Sequence, residues 1–342
     1  MEEKKSEIDR AQADTVEDHF EAILASKGCI DSDASKIRID HLPAWFDAEL
    51  FKRGQDYYSK NVLAVVTAYS VGLIAVFLVP TIAKVLTFTN QSSTPCAAFR
   101  RYFQTLLHIH YMHRCDVLDP KSKFYKSLNT IRWKHSTTSA RLLGRKAPGI
   151  AHRDMVLTQF GFVGYVLLSP GELSLTDGRE DRQAFNHFWR VVGHLLGIPD
   201  ELNLCRGNEK ETTRLCRIIR DDVYSKCLRA PEPSFLLLTK AALDGLRSID
   251  PMVDVDAFLT LFYALNNDKY TKSLSLWSWI NVLYRNIIFY LIGLPLVGMI
   301  VRSYWNYYLL TLYWFNEKYP LVARWRFGKE NSKIKLYPHS SF

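Results

Sequence analysis

The residues that could do chemistry are concentrated in two segments of the chain. In the first segment, residues 97–113, Arg101, Gln104, Thr105 and His108 are spaced so that they share one face of a helix. Apolar residues flank this polar row on both sides. A polar row between apolar flanks predicts a helix face that is turned toward a cavity or a bound group rather than toward bulk water.

The second segment, residues 126–143, places a histidine on the apolar face of a predicted helix. His135 falls in one row with Leu128 and Ile131, and Arg132 lies one turn before it on the same side. A neutral imidazole on an inward face is a good ligand for iron, and a neighbouring arginine can bind a haem propionate. An inward histidine is more often a hydrogen-bonded core residue, so the pattern alone leaves the function open.

The elements that position these residues are predicted to be helices throughout. Helical periodicity dominates from about residue 41, no run of alternating strands follows, and prolines divide the chain into helix-length segments. We therefore predict an all-α protein of about ten helices. Its parts are a polar N-terminal arm (residues 1–40), a large helical domain (41–275), and hydrophobic, aromatic-rich C-terminal helices with a basic tail (276–342).

Composition restricts the classes of function. The chain has 342 residues, 48% of them apolar, and a net charge of +9. Eight lysines and arginines with no acid lie in residues 121–146, and a second basic group follows the last apolar run. A basic segment directly after an apolar one is typical of a cytoplasmic membrane surface. Nucleic acid is disfavoured as a partner, because no nucleic-acid-binding motif occurs.

The cysteines and the N-terminus indicate an intracellular protein. The six cysteines are scattered and never form C-x-x-C, so neither a disulfide framework nor a four-thiolate zinc site is predicted. The polar, acidic N-terminus is not a secretory signal.

Two hydrophobic stretches are candidates for association with a membrane. Residues 62–88 are predicted to be a buried core helix, because a large helical protein needs at least one. Residues 276–315 contain an apolar core shorter than the roughly 20 residues needed to cross a bilayer, but tryptophans and tyrosines flank it as in an interfacial belt. Membrane attachment and burial both stay open for this stretch.

The order and spacing of the polar motifs resemble one known family. Arg101-Tyr-Phe-Gln104-Thr105 comes first, and Arg132-Trp-Lys-His135 follows, with His135 thirty residues after Thr105. Three further stretches agree, namely FKRGQDYYSKN (51–61), RDMVLTQFGFVG (153–164) and FNHFWRVVGHLLGIPDELN (185–203). Together they resemble the family of latex-clearing proteins, which are rubber oxygenases, and MpaB-type oxygenases bound to the endoplasmic reticulum.

This resemblance implies a globin-like, α-helical fold that binds b-type haem. His135 would be the proximal iron ligand, and Arg132 would lie near the haem. Arg101, Gln104 and Thr105 would form the catalytic, distal side. The chain departs from the latex-clearing pattern in two places, because Gln104 replaces a lysine and no acid occurs around residues 82–86, where that pattern has a carboxylate base.

We therefore predict a haem-dependent, oxygenase-like protein that uses dioxygen and acts on an apolar isoprenoid or lipid substrate, with His135 holding the iron. The resemblance also suggests association with the endoplasmic-reticulum membrane. The alternative is a protein whose site has degenerated, either a non-catalytic haem or lipid carrier or a membrane-anchored interaction protein.

Overall fold

The computed structural model describes residues 7–31, 35–175 and 178–337, and these residues form helices joined by turns and loops. Within them the only strand-like pairing is an isolated bridge between Cys29 and Ala151. The predicted all-α fold is confirmed. The helices are α1 (Glu7–Ala11), α2 (Val16–Ala25), α3 (Ala48–Lys60), α4 (Val62–Leu78), α5 (Pro80–Phe88), α6 (Pro95–Arg114), α7 (Lys123–Gly144), α8 (His152–Leu168), α9 (Arg179–Leu195), α10 (Glu209–Ile219), α11 (Ser225–Arg229), α12 (Pro233–Leu246), α13 (Val255–Leu265), α14 (Leu276–Ile292), α15 (Val297–Lys318), α16 (Leu321–Phe327) and α17 (Lys329–Ser332).

The centre of the fold is α4, which is apolar on all sides. Fourteen of its seventeen residues are buried, as expected for a helix without a polar face. The predicted core helix is therefore present, although the hydrophobic stretch divides into two helices. Pro80 lacks the N–H that would continue α4 and instead occupies the first turn of α5.

Glycines allow the central helices to approach closely. A Cβ atom built on Gly72 of α4 would lie 1.8 Å from the carbonyl oxygen of Gly161 on α8, so no larger residue fits at this crossing. A Cβ atom on Gly54 of α3 would lie 2.5 Å from the carbonyl oxygen of Ala184 on α9. The resulting contacts hold α8 and α9 beside α4 and α3, where they form walls of the cavity described below.

Part of the N-terminal arm is helical and packed. Phe20 and Ile23 of α2 are buried, and α2 contacts α8 and α10. Arg190 forms an ion pair with Asp9, and the guanidinium of Arg206 donates to the backbone carbonyl of Ala13. The described part of residues 1–40 is therefore attached to the main body, whereas the division of the chain at residues 40 and 275 stays a prediction.

The C-terminal helices form a hairpin and a returning tail. The side chain of Asn306 on α15 accepts from the backbone N–H of Leu63 and donates to the carbonyl of Lys60, which fixes α15 against the start of α4. After α17 the chain returns to α6 through residues 333–337. Among the described helices, none is both long enough and apolar enough to cross a bilayer alone; α3 and α4 meet this test only as a pair bent by 93°.

Candidate functional site: an internal cavity between α6 and α7

A cavity of about 570 Å³ lies inside the helical body, with walls from α4 to α9. Its volume falls in the range of small-molecule sites, roughly 300–1,000 Å³. The row predicted from the sequence, Arg101, Gln104, Thr105 and His108, lies on its wall. His135 lines the cavity from α7. The structure therefore brings the polar face of α6 and the inward histidine of α7 to one enclosed space.

His135 presents an imidazole whose hydrogen-bonding capacity is not used. Its Nδ1 atom is buried and has no hydrogen-bond partner among the described residues. Burial first, and then the positive charges of Arg101, Lys134 and Arg132, lower the pKa of His135 from 6.5 to about 4. The ring is therefore neutral near pH 7, with a lone pair available to a ligand.

Arg132 lies close to His135 but is turned to a different partner. Its Nη1 atom donates to the backbone carbonyl of Leu195 at 2.8 Å, at the end of α9. It is not one of the described residues that line the cavity. Its contact with a cofactor stays a prediction, and its visible effect is to help keep the His135 ring neutral.

Arg101 and Thr105 are oriented by local hydrogen bonds on α6. The Nη1 atom of Arg101 donates to the hydroxyl of Thr89 at 2.8 Å, and the Thr105 hydroxyl donates to the carbonyl of Arg101 one turn back at 3.0 Å. Because its proton is used in this way, the Thr105 oxygen is left as an acceptor toward the cavity. Arg101 remains a buried donor and a buried positive charge.

Gln104 is held at both ends of its side-chain amide. Its Oε1 atom accepts from Lys134 Nζ at 3.1 Å, and its Nε2 atom donates to the backbone carbonyl of Lys335 at 3.0 Å. Burial first, and then the charge of Arg101, lower the pKa of Lys134 to about 8. Lys134 was not among the predicted site residues, although it directly precedes His135. The side chain of Lys134 reaches the cavity because of the way α7 packs against α6, and the local sequence does not indicate this packing.

His108 is the second unpartnered histidine on the cavity wall. Its side chain is 1% exposed, and neither ring nitrogen has a hydrogen-bond partner among the described residues. Burial, with a smaller contribution from Lys134, lowers its pKa to about 3. A neutral imidazole carries one N–H and one lone pair, so the fold leaves one donor and one acceptor of His108 buried without a partner among the described residues.

Asp154 supplies a carboxyl group to the cavity from α8. The helix begins at His152, and Asp154 is buried in its first turn. It accepts a hydrogen bond from the hydroxyl of Thr81 at 2.8 Å. Burial raises its pKa, while Thr81 and Arg153 act in the opposite direction. A carboxylate thus reaches the cavity beside α5, the helix whose own residues 82–86 carry none.

The charges of the cavity favour an anionic ligand. Arg101, Lys134, Arg141 and Lys335 contribute positive groups to the wall, and Asp154 contributes a carboxyl group. Buried charges are costly unless they are paired. Arg101 and Lys134 are the buried charges of this group, whereas Arg141 and Lys335 are exposed, and a ligand that carries carboxylates would pair with the two buried ones.

A metal in this cavity would need ligands from outside the protein. Among the described residues, no three His, Cys, Asp or Glu side chains converge as a metal site. A single histidine such as His135 can hold iron when a porphyrin supplies the remaining in-plane nitrogens. The residues present therefore fit a haem group better than a free metal ion.

These features define a class: an all-α protein with an internal, mainly apolar cavity in which an unpartnered histidine faces a polar helix. Comparison with solved structures finds the fold in latex clearing protein in its closed state, with a TM-score of 0.57 and 14% sequence identity over 86% of this chain and 87% of that chain. No protein-family model matches the chain. A search of curated proteins likewise finds no match. The fold is thus that of a latex clearing protein.

Proposed function

We propose that the protein is a haem-dependent, oxygenase-like protein that acts on an apolar isoprenoid or lipid substrate, with His135 holding the iron. The observation that carries the proposal is that His135 lines the 570 Å³ cavity while its buried Nδ1 atom has no hydrogen-bond partner among the described residues. The fold shared with latex clearing protein supports it.

The positive groups on the cavity wall suit the carboxylates of such a cofactor. Arg101, Lys134 and Arg141 would neutralise the haem propionates, and His135 would hold the iron. When bound, a b-type haem supplies the redox chemistry of oxygen transfer. The protein supplies the orientation of the substrate, the exclusion of water and the control of protons.

Aromatic walls suit an apolar substrate. Trp133, Phe162 and Trp189 line the cavity, and the rings of Phe162 and Trp189 stack with centroids 4.8 Å apart. Such surfaces bind hydrocarbon chains and keep water out of the site. Asp154, with its raised pKa, is placed to take a proton from the substrate or return it.

A non-catalytic haem or lipid carrier is the second candidate. The observation that favours it is Gln104, whose amide is held at one end by Lys134 and at the other by the C-terminal tail. A side chain fixed in this way is less free to respond to bound oxygen than an unpaired lysine would be. Binding without oxygen consumption is the expected behaviour of such a carrier.

The first test is an absorption spectrum of the full-length protein expressed with a haem precursor. We expect a Soret band that is lost or shifted in His135→Ala and unchanged in the matched control His41→Ala, because His41 is an exposed histidine outside the cavity. Far-UV circular dichroism checks that each variant is helical. Folded protein without a Soret band would refute the haem proposal.

The second test separates the two candidates. Oxygen consumption by the haem-loaded protein is measured with a prenyl lipid present and absent. Uptake of oxygen that depends on the lipid supports the oxygenase. A stable Soret band together with no uptake identifies a carrier.

A further inference from the structure

The outer face of α14 carries an apolar row at helical spacing. Its exposed members are Leu276, Ile280, Leu283, Ile287 and Tyr290, which follow one another by three or four residues. In a helix on the surface of a globular protein such a row faces the core. Here the row faces outward.

The next helix, α15, continues this arrangement. Ile300, Tyr304, Tyr307 and Trp314 are exposed on one face, and Tyr307 is 74% exposed. The opposite face of α15 rests on the body of the protein through Asn306, which bonds to the start of α4. Nineteen of the twenty-four exposed large apolar or aromatic residues of the described chain lie between residues 276 and 325. Exposed apolar surface of this extent marks an interaction site.

The two helices form a hairpin with an aliphatic tip. The rings of Tyr284 and Trp305 meet edge to face at 5.5 Å, and a Cβ atom on Gly298 would lie 2.2 Å from the carbonyl oxygen of Ile292. The turn ends at Leu296, which has a φ of 62° and is 82% exposed. A leucine in the left-handed region is strained. The strained backbone of Leu296 places its aliphatic side chain in an exposed position at the tip of the hairpin.

The composition of the surface changes along the hairpin. Leu296, Met299 and Ile300 are exposed near the tip. Trp277 and Trp314 are exposed near the other end, where α14 begins and α15 ends. Aliphatic residues at one end and tryptophans at the other reproduce the order in which side chains enter the hydrocarbon and the interface of a bilayer.

The distribution of charged residues also changes between the tip of the α14–α15 hairpin and its other end. Between residues 276 and 316 the charged side chains are Arg285 and Arg302, and both are turned inward to the carbonyls of Ala257 and Ser174. Exposed positive residues resume beyond the tryptophans, at Lys318, Arg324 and Lys329. A face without outward charges that ends in lysines and arginines complements an anionic lipid surface.

We propose that the outer face of the α14–α15 hairpin docks onto the surface of an anionic phospholipid bilayer. The tip at Leu296 enters the acyl region, the tryptophans lie at the interface, and the basic residues contact the headgroups. The hairpin remains packed on the protein body, so the attachment uses one face and does not cross the bilayer. This inference does not depend on the proposed function.

The test is co-sedimentation of the full-length chain with vesicles of phosphatidylcholine, alone or mixed with phosphatidylserine. Leu296→Asp, Met299→Asp and Ile300→Asp are combined in a tip variant. Burying a side chain of this size contributes about tenfold or more to partitioning, so we expect binding to fall by at least about a hundredfold when three are replaced. The matched control, Leu236→Asp with Leu237→Asp, removes exposed leucines of α12 and is expected to bind as wild type.

A second variant tests the charge component. Lys318→Gln with Arg324→Gln is expected to lower binding to the anionic vesicles by about tenfold and to leave binding to phosphatidylcholine unchanged. Circular dichroism checks the fold of every variant. The proposal is overturned if wild type does not sediment with vesicles, or if the tip variant and the α12 control bind equally well. It is also overturned if wild type is a dimer that the tip variant dissociates without any vesicle binding, because the face would then join two copies of the chain.

Discussion

Lowering the pH from about 7 to about 5 is expected to destabilise the protein, because buried histidines are neutral in the fold. His19, His108, His113 and His187 are between 0% and 6% exposed. Burial lowers the pKa of His19 and His187 to about 4 and that of His108 and His113 to about 3, from an ordinary value of 6.5. Nearby positive charges, such as Arg206 beside His19, act in the same direction.

The direction and size of the effect follow from proton binding. The unfolded chain protonates these rings near pH 6.5, whereas the folded chain does so only below about pH 4, so their contribution to stability is complete above pH 6.5 and is lost as the pH falls. Each ring loses about 1.8 kcal/mol between pH 7 and pH 5, and the four together lose about 7 kcal/mol. A domain is stable by only about 5–15 kcal/mol.

The assay is urea unfolding followed by circular dichroism at several pH values between 7 and 5. His108→Leu is expected to reduce the pH dependence by about one proton, or about 1.4 kcal/mol per pH unit. It should also be neutral or stabilising near pH 7, because neither ring nitrogen of His108 has a hydrogen-bond partner in the described parts of the chain. His41→Leu is the matched control, since His41 is exposed.

Two results would refute this reasoning. One is a free energy of unfolding that stays constant between pH 7 and pH 5. The other is a pH dependence in His108→Leu that equals that of the His41→Leu control. Either result would mean that the buried rings are already protonated in the fold or reach water there.

Three further predictions concern the crossing of α4 and α8 and the cavity. Gly72→Val is expected to lower the free energy of unfolding by more than about 3 kcal/mol, because its Cβ has no room; Gly144→Ala, in open space, is the control in urea unfolding. Lys134→Met should raise the pKa of His135, measured by NMR titration, because it removes a nearby positive charge. Asp154→Asn should keep the Soret band but lower oxygen uptake by about a hundredfold, with loss of its pH dependence, because the amide cannot transfer the proton; unchanged uptake would remove Asp154 from the mechanism.

The cavity-facing row of α6 was predictable because it depends only on helix geometry. Residues three and four apart share a face in any α-helix, so the positions of Arg101, Thr105 and His108 follow from their spacing. The same rule placed His135 inward on α7. These residues do line one cavity in the structure. Their roles toward a cofactor remain predictions.

Other parts of the site depend on contacts between distant segments. The bond between Gln104 and Lys335 joins residues 231 positions apart, and no local pattern indicates that the tail returns to α6. Asp154 lies in the first turn of α8, where acids are common because they face the positive end of the helix dipole. Its burial against Thr81 depends instead on the way α8 packs beside α5.

The two hydrophobic stretches show that composition alone does not predict whether an apolar helix is buried. Residues 62–78 and 276–292 are both apolar helices, and the sequence of each is compatible with a buried core helix. The first is buried on all sides, whereas the second has a row of exposed residues that includes Leu276 and Tyr290. The difference lies in how many other helices surround each one. The number of such neighbours is a property of the tertiary fold and not of the helix sequence.

The unsatisfied groups of the cavity argue for a ligand rather than for a degenerate site. Among the residues that the structure describes, the ring nitrogens of His108 and Nδ1 of His135 have no hydrogen-bond partner, and each such buried group costs about 1–3 kcal/mol. Leucine at either position would remove that cost, and methionine in place of Lys134 would remove a buried charge. If these side chains served only to pack the interior, each of the three substitutions would make the protein more stable. The haem group proposed above would offer iron and carboxylates to these side chains, so its binding would offset that cost.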